Sequence, residues 1–215
     1  MTISAILWDF GGVFTSSPFE AFNRLEAEYG APPDTIRKVN SINPETNAWA
    51  QFEANTVDLD EFDQRFAAET REFGYEIPGK AVIAVLSGQL RPRMRKVLET
   101  CKSHYKNACI TNNVKAGEGP GMSRSQDKAA RIADLMSLFD LVVESSVEGV
   151  RKPDPRIYTL TCERLGVDPN EAVFLDDLGI NLKPARALGM QTIKVISEDQ
   201  AIADLSQITG LTFPD

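Results

Sequence analysis

The chain has 215 residues, 42% of them hydrophobic and 25% charged, which suits a globular protein with one core domain and a smaller appendage. Its formal net charge of −8 repels a phosphodiester backbone, so nucleic acid is not an expected partner. No apolar run approaches the ~18 residues of a membrane span, and the opening MTISAILWDF lacks a basic leader and a small-residue cleavage site.

In chain order, the first strand is predicted over residues 3–8. Helical periodicity follows at 18–29, 34–40, 48–53, 58–73 and 80–86, with Phe19, Phe22, Leu25 and Phe62, Phe66 at the spacing of buried faces. Asp58 with Glu61 three residues on forms a capping-box signature. The gap between the first two strands is about a hundred residues, far longer than a crossover needs. We therefore read 18–87 as an inserted helical cap, and 1–17 with 88–215 as the core; Gly88 and Pro92 mark the return, and 91–103 is a core helix. The remaining strands are predicted at 107–111, 141–144, 172–175 and 192–196, separated by helices at 125–138, 155–165 and 182–188. Asp154-Pro155 and Gly166 punctuate the second of these helices. Residues 114–124, VKAGEGPGMSR, read as a mobile loop. Strands alternating with helices, several of them apolar throughout, predict an α/β fold: a doubly wound parallel sheet with an inserted α-helical cap.

Cys101, Cys109 and Cys162 are odd in number and widely spaced. They build neither a disulfide framework nor a zinc pattern, and they fit a reducing cytoplasm, with Cys109 a small core residue.

Candidate chemistry collects at strand ends. Asp9 follows the first strand, Thr111 ends the second, Lys152 lies in the loop after the third, and Asp176-Asp177 end the fourth. Open α/β sheets bind ligands beyond these carboxyl ends, where strand order reverses. If that order is 3-2-1-4-5, Asp9 and Asp177 face each other across the switch point. Carboxylates so crowded need a shared cation, and oxygen ligands beside a phosphate favour Mg²⁺.

The strings WDFGGVF, ITNN, VEGVRKPDPRIY and FLDDLGINLKPARALGM together resemble the haloacid dehalogenase-like (HAD) hydrolases over essentially the whole chain. They are most similar to phosphatases related to the N-terminal domain of soluble epoxide hydrolase. The resemblance implies a HAD-like Rossmannoid core and a Mg²⁺-dependent phosphatase acting on a small phosphomonoester. Asp9 matches the nucleophile that becomes an aspartyl-phosphate, and also a metal ligand. Gly11 matches a position whose carbonyl binds metal. Thr111, with Asn112 beside it, matches the group that holds the phosphoryl, and Lys152 matches the neutralising cation. Asp177 matches the direct metal ligand, Asp176 a neighbouring or water-mediated one, and Asn181 a residue that orients this loop.

Position 11 departs from the pattern. Most such phosphatases carry there an Asp that protonates the leaving oxygen, a contribution of about 10²–10⁴-fold, or about 3–5 kcal/mol. Glycine cannot supply it, although some sugar-phosphate phosphatases of the family share the glycine. A leaving group stable without protonation, or an acid borrowed from substrate or cap, would fill the gap. Two other readings stay open: a 2-haloacid dehalogenase using the same Asp on carbon, and a non-catalytic relative that binds phosphate or a protein. The first is opposed by the Asp176-Asp177 pair. A receiver module is opposed by the inverted order of acidic pair and acceptor and by the long insert. One histidine, His104, supports no Ser–His–Asp set. Thr15, Ser16 and Ser17 are read as a turn. The oligomeric state is open.

Overall fold

The computed structural model describes residues 2–86, 88–113 and 126–214. The predicted loop at 114–124, position 87 and Ser125 lie outside the described residues. Five strands, β1 Ala5–Trp8, β2 Lys106–Thr111, β3 Leu141–Glu144, β4 Ala172–Asp176 and β5 Gln191–Lys194, form one sheet in the order β3-β2-β1-β4-β5. Every pairing is parallel. Central β1 sets Ile6 against Asn107 of β2 and Val173 of β4.

The strand period of two sorts the core into two layers. Ile6, Trp8, Cys109, Val173 and Leu175 join one apolar cluster, which also takes in residues of α6 Pro92–Lys102, α7 Gln126–Met136 and α11 Glu198–Thr209. Ala5, Leu7, Ala108, Ile110 and Phe174 join the other, with α9 Pro155–Leu165 and α10 Gly179–Ala187. Burial on both faces explains why these strands are apolar throughout. The Trp8 indole is satisfied by donating to Asn107 Oδ1 at 2.9 Å, as a buried N–H must be.

Between β1 and β2, before α6, stand α1 Phe19–Glu28, α2 Thr35–Ser41, α3 Ala48–Glu53, α4 Leu59–Arg71 and α5 Gly79–Val85. They share a third apolar cluster that includes Phe22, Ile36, Phe52, Phe62, Phe66 and Ile77. Asp58 caps α4 by accepting from Glu61 N at 2.8 Å, and Asp154 caps α9 by accepting from Arg156 N at 2.9 Å. The connectors to this insert run side by side. Thr15 and Leu90 form an antiparallel bridge, Ser16 N donates to Gln89 O at 2.8 Å, and Arg91 N donates to Phe14 O at 2.8 Å. They approach so closely that a Cβ at Gly88 would sit 2.4 Å from Ser16 O.

Three local expectations are corrected. Helix α10 begins at Gly179 rather than 182, because it starts directly behind the Asp176-Asp177 turn, which puts Pro184 inside the helix. Short α8, Ser145–Glu148, was not foreseen; neither was α11, which buries only Ala201 and Leu205 and so shows a weak apolar stripe. Among the described residues no helix is long and apolar enough to cross a membrane.

Candidate active site

The strand ends carry their side chains to one place. Asp9 leaves β1 with its N–H donating to Leu175 O of β4 at 2.8 Å, so its backbone is tied to the neighbouring strand. Its Oδ1 accepts from Phe10 N at 2.7 Å and from Lys152 Nζ at 2.7 Å. Among the described residues Oδ2 has no hydrogen-bond partner, and Asp9 lines a cavity of about 490 Å³.

Lys152 is 1% exposed and bridges two carboxylates, reaching Asp9 and, at 2.9 Å, Asp176 Oδ2. Asp176 is fully buried and its oxygens are taken. Leu178 N donates to Oδ1 at 2.7 Å, and Asn181 Nδ2 reaches both oxygens at 3.1 and 3.0 Å. Asn181 is held from behind, since its carbonyl accepts from the Tyr158 hydroxyl at 2.7 Å. Asp177 is half-buried and lies over the backbone of Gly12. A Cβ at Gly12 would sit 2.2 Å from Asp177 Oδ2, and φ there is +73°. Glycine is required on both counts. At Gly11 an added Cβ would meet no heavy atom within 4 Å.

Electrostatics follow from this crowding. Burial drives the Asp9 carboxyl well above its ordinary range; Lys152 opposes the rise, and Asp176 and Asp177 add to it. Burial and then Asp176 push Asp177 up to about 6. Burial alone would weaken the Lys152 ammonium, but Asp176 and Asp9 outweigh it and hold the group above the usual lysine value. Ligand oxygens of Asp9, Asp176 and Asp177 all lie within 4.8 Å of one another. Three carboxylates facing one ammonium, with oxygen donors alone, match the charge and donor type of a hard divalent cation.

Thr111 is buried at the end of β2 and lines the same cavity, as do Gly11, Asn112 and Asn181. Asn112 clasps the Lys152 peptide, with Nδ2 donating to Lys152 O at 2.9 Å and Oδ1 accepting from Lys152 N at 2.9 Å. Asp9, Gly11, Thr111, Asn112, Lys152, Asp176, Asp177 and Asn181 thus all fall in one cluster or on the cavity wall. His104 is exposed at the end of α6 and is not in it. Thr15 serves the turn, its Oγ1 accepting from Gly12 N at 3.3 Å. Cys101, Cys109 and Cys162 are buried free thiols. Sequence reasoning passed over Glu53, which is buried at the end of α3 and also lines the cavity. The available signal was a carboxylate one helical turn after Trp49, on an apolar face.

A family model described as haloacid dehalogenase-like hydrolase matches residues 3–189. Mouse bifunctional epoxide hydrolase 2 is 28% identical over 100% of this chain and 40% of its own length. The chain spans less than half the length of the mammalian relatives it matches. The sesquiterpene phosphatase astK of Aspergillus oryzae is 28% identical over 97% of this chain and 98% of its own. A solved HAD-family enzyme from Bacteroides thetaiotaomicron, in complex with magnesium and inorganic phosphate, shares the fold. Its TM-score is 0.55 at 21% identity, covering 89% of this chain and 93% of that one.

Proposed function

The chain belongs to the haloacid dehalogenase-like hydrolase family, and on that premise we propose that it is a Mg²⁺-dependent phosphomonoesterase working through an aspartyl-phosphate on Asp9. The observation that carries this reading is the asymmetry of the Asp9 carboxylate. One oxygen is fixed by Lys152 and the Phe10 amide, and the other, in a residue that lines the cavity, has no partner among the described residues. The free Oδ2 attacks phosphorus, the Asp9–phosphorus bond forms as the bond from phosphorus to the ester oxygen breaks, and that oxygen leaves with its electron pair and is protonated by solvent water, since Gly11 offers no acid. Water then attacks the phosphoenzyme, releasing inorganic phosphate and restoring the carboxylate.

Lys152, oriented by Asp9 and Asp176, neutralises charge on nucleophile and phosphoryl group, and Thr111 and Asn112 hold the transferring oxygens. Asp9, Asp177 and the Gly11 carbonyl would hold Mg²⁺, which supplies the neutralisation that lets an anion be attacked by a carboxylate. Asp176, with its oxygens engaged by four donor contacts, holds Lys152 and Asn181 in place and stands behind the metal ligands. Residues 18–87 act as the cap that selects substrate, and 1–17 with 88–215 as the core. The cap offers Phe19, Phe22, Trp49 and Leu86 to the cavity wall, which suits a small organic phosphate with an apolar body. The magnesium- and phosphate-bound fold neighbour and the named phosphatase relative support the reading.

The test is a panel of phosphate monoesters with Mg²⁺, using Asp9→Asn as the blank. Hydrolysis by the parent and not by the variant is expected. No release of phosphate from any ester by a normally folded protein would overturn the reading in favour of a binding role.

A further inference from the structure

We infer that Glu53 and Arg151 are positioning residues, a clasp through which the helical insert seats Lys152. The inference rests on the reading of Lys152 and Asp9 given above. Glu53 is 7% exposed. Arg151 Nη1 donates to its Oε2 at 2.5 Å, and Asn112 Nδ2 approaches the same oxygen at 3.3 Å. Arg151 Nη2 also donates to Pro44 O at 2.5 Å. The Glu53 carbonyl accepts from Ser145 Oγ at 3.2 Å. Asn112 at the end of β2 and Arg151 in the loop before Lys152 therefore converge on the Glu53 carboxylate, while Ser145 at the end of β3 ties down its backbone.

A carboxylate buried this far is tolerated only with partners. Glu53's charged partner comes from the core, beside the lysine. The path from there to the reacting centre is short: Glu53 and Arg151 fix Asn112 and the 151–152 peptide, and Asn112 clasps both the N–H and the carbonyl of Lys152. The Lys152 ammonium is then held between Asp9 and Asp176. The planar guanidinium fork fixes direction as well as charge, which lysine at 151 would not do. Apolar contact alone would let the insert slide over the site, whereas this ion pair sets its register.

The experiment compares Glu53→Gln, Arg151→Lys and the double variant with the parent, using p-nitrophenyl phosphate and Mg²⁺, with turnover counted per folded molecule. Each single variant is expected to lower kcat by about tenfold to a hundredfold, the scale of a small misplacement of a catalytic group. KM should change by less than about threefold, and the double variant should be no worse than the poorer single one, the signature of a shared pathway. A purely structural ion pair would lower melting temperature and leave kcat per folded molecule unchanged, and that result overturns the inference, as would losses that multiply. Amide exchange at Lys152 gives a readout independent of turnover. Exchange about tenfold faster in Glu53→Gln supports the clasp, and unchanged exchange refutes it. If the parent hydrolyses no phosphate ester, the proposed activity fails, and the exchange measurement still decides the clasp.

Discussion

The strand-end site and the aromatic interior of the helical insert are held together in opposite ways. At the strand ends most polar side chains are oriented by another. Tyr158 holds Asn181, Asn181 and Lys152 hold Asp176, and Lys152 holds Asp9. In the insert the contacts are between rings. Phe52 stacks on Phe62 at 4.4 Å, and Trp49 meets Phe62 edge-on at 5.7 Å. Hydrogen bonds are directional and leave few alternative arrangements, whereas apolar packing tolerates changes of shape at a cost mainly in stability. The candidate site is thus built where alternatives are few, and the insert is built where changes of shape are tolerated.

That contrast can be broken most decisively at Asp9. Asp9→Asn should lower turnover of p-nitrophenyl phosphate by about 10⁴-fold or more with the fold intact; single-turnover assays and circular dichroism would check both. Next, Lys152→Met leaves Asp9 and Asp176 facing each other without their cation. We expect a loss of about 3–5 kcal/mol in urea unfolding measured in chelator, together with loss of turnover. On the insert side, Ile77→Ala removes a fully buried side chain away from the cavity and should destabilise by about 2–5 kcal/mol. Turnover per folded molecule should stay within about twofold. Trp49 lies in the insert, whereas Trp8 and all three buried cysteines lie outside it, so tryptophan emission of a Trp8→Phe variant and thiol labelling during unfolding would show which region yields first. The smallest effect is expected at Gly11, where an added side chain finds open space. Gly11→Asp should speed a simple alkyl phosphate by about tenfold more than p-nitrophenyl phosphate, whose leaving group needs no proton. Equal acceleration of both would remove the leaving-group explanation for the glycine.

Much of the architecture was legible because apolar runs end at residues with a local physical meaning. Residues 141–144 and 155–165 coincide with β3 and α9, the latter bounded by Asp154-Pro155 and Gly166. The strand order, posed from the sequence only as the condition under which Asp9 and Asp177 face each other, is the one observed. The start of α10 was less legible, since Pro184, a residue type that usually interrupts a helix, lies within it. The clasp was not legible at all. Glu53 and Arg151 are separated by 98 positions, and periodicity reports which face a residue occupies, never which distant residue meets it. The need for glycine at position 12 was hidden likewise, because it arises from Asp177 lying against it.

The paired connectors at Thr15 and Leu90 make the insert a detachable attachment in the chain's design. Because its entry and exit lie beside each other, a short splice could close the sheet without it, and a different insert could be grafted at the same two points. A different block of sequence could then cover the cavity, while the strand ends that carry the acids and the loop that carries the lysine stay as they are.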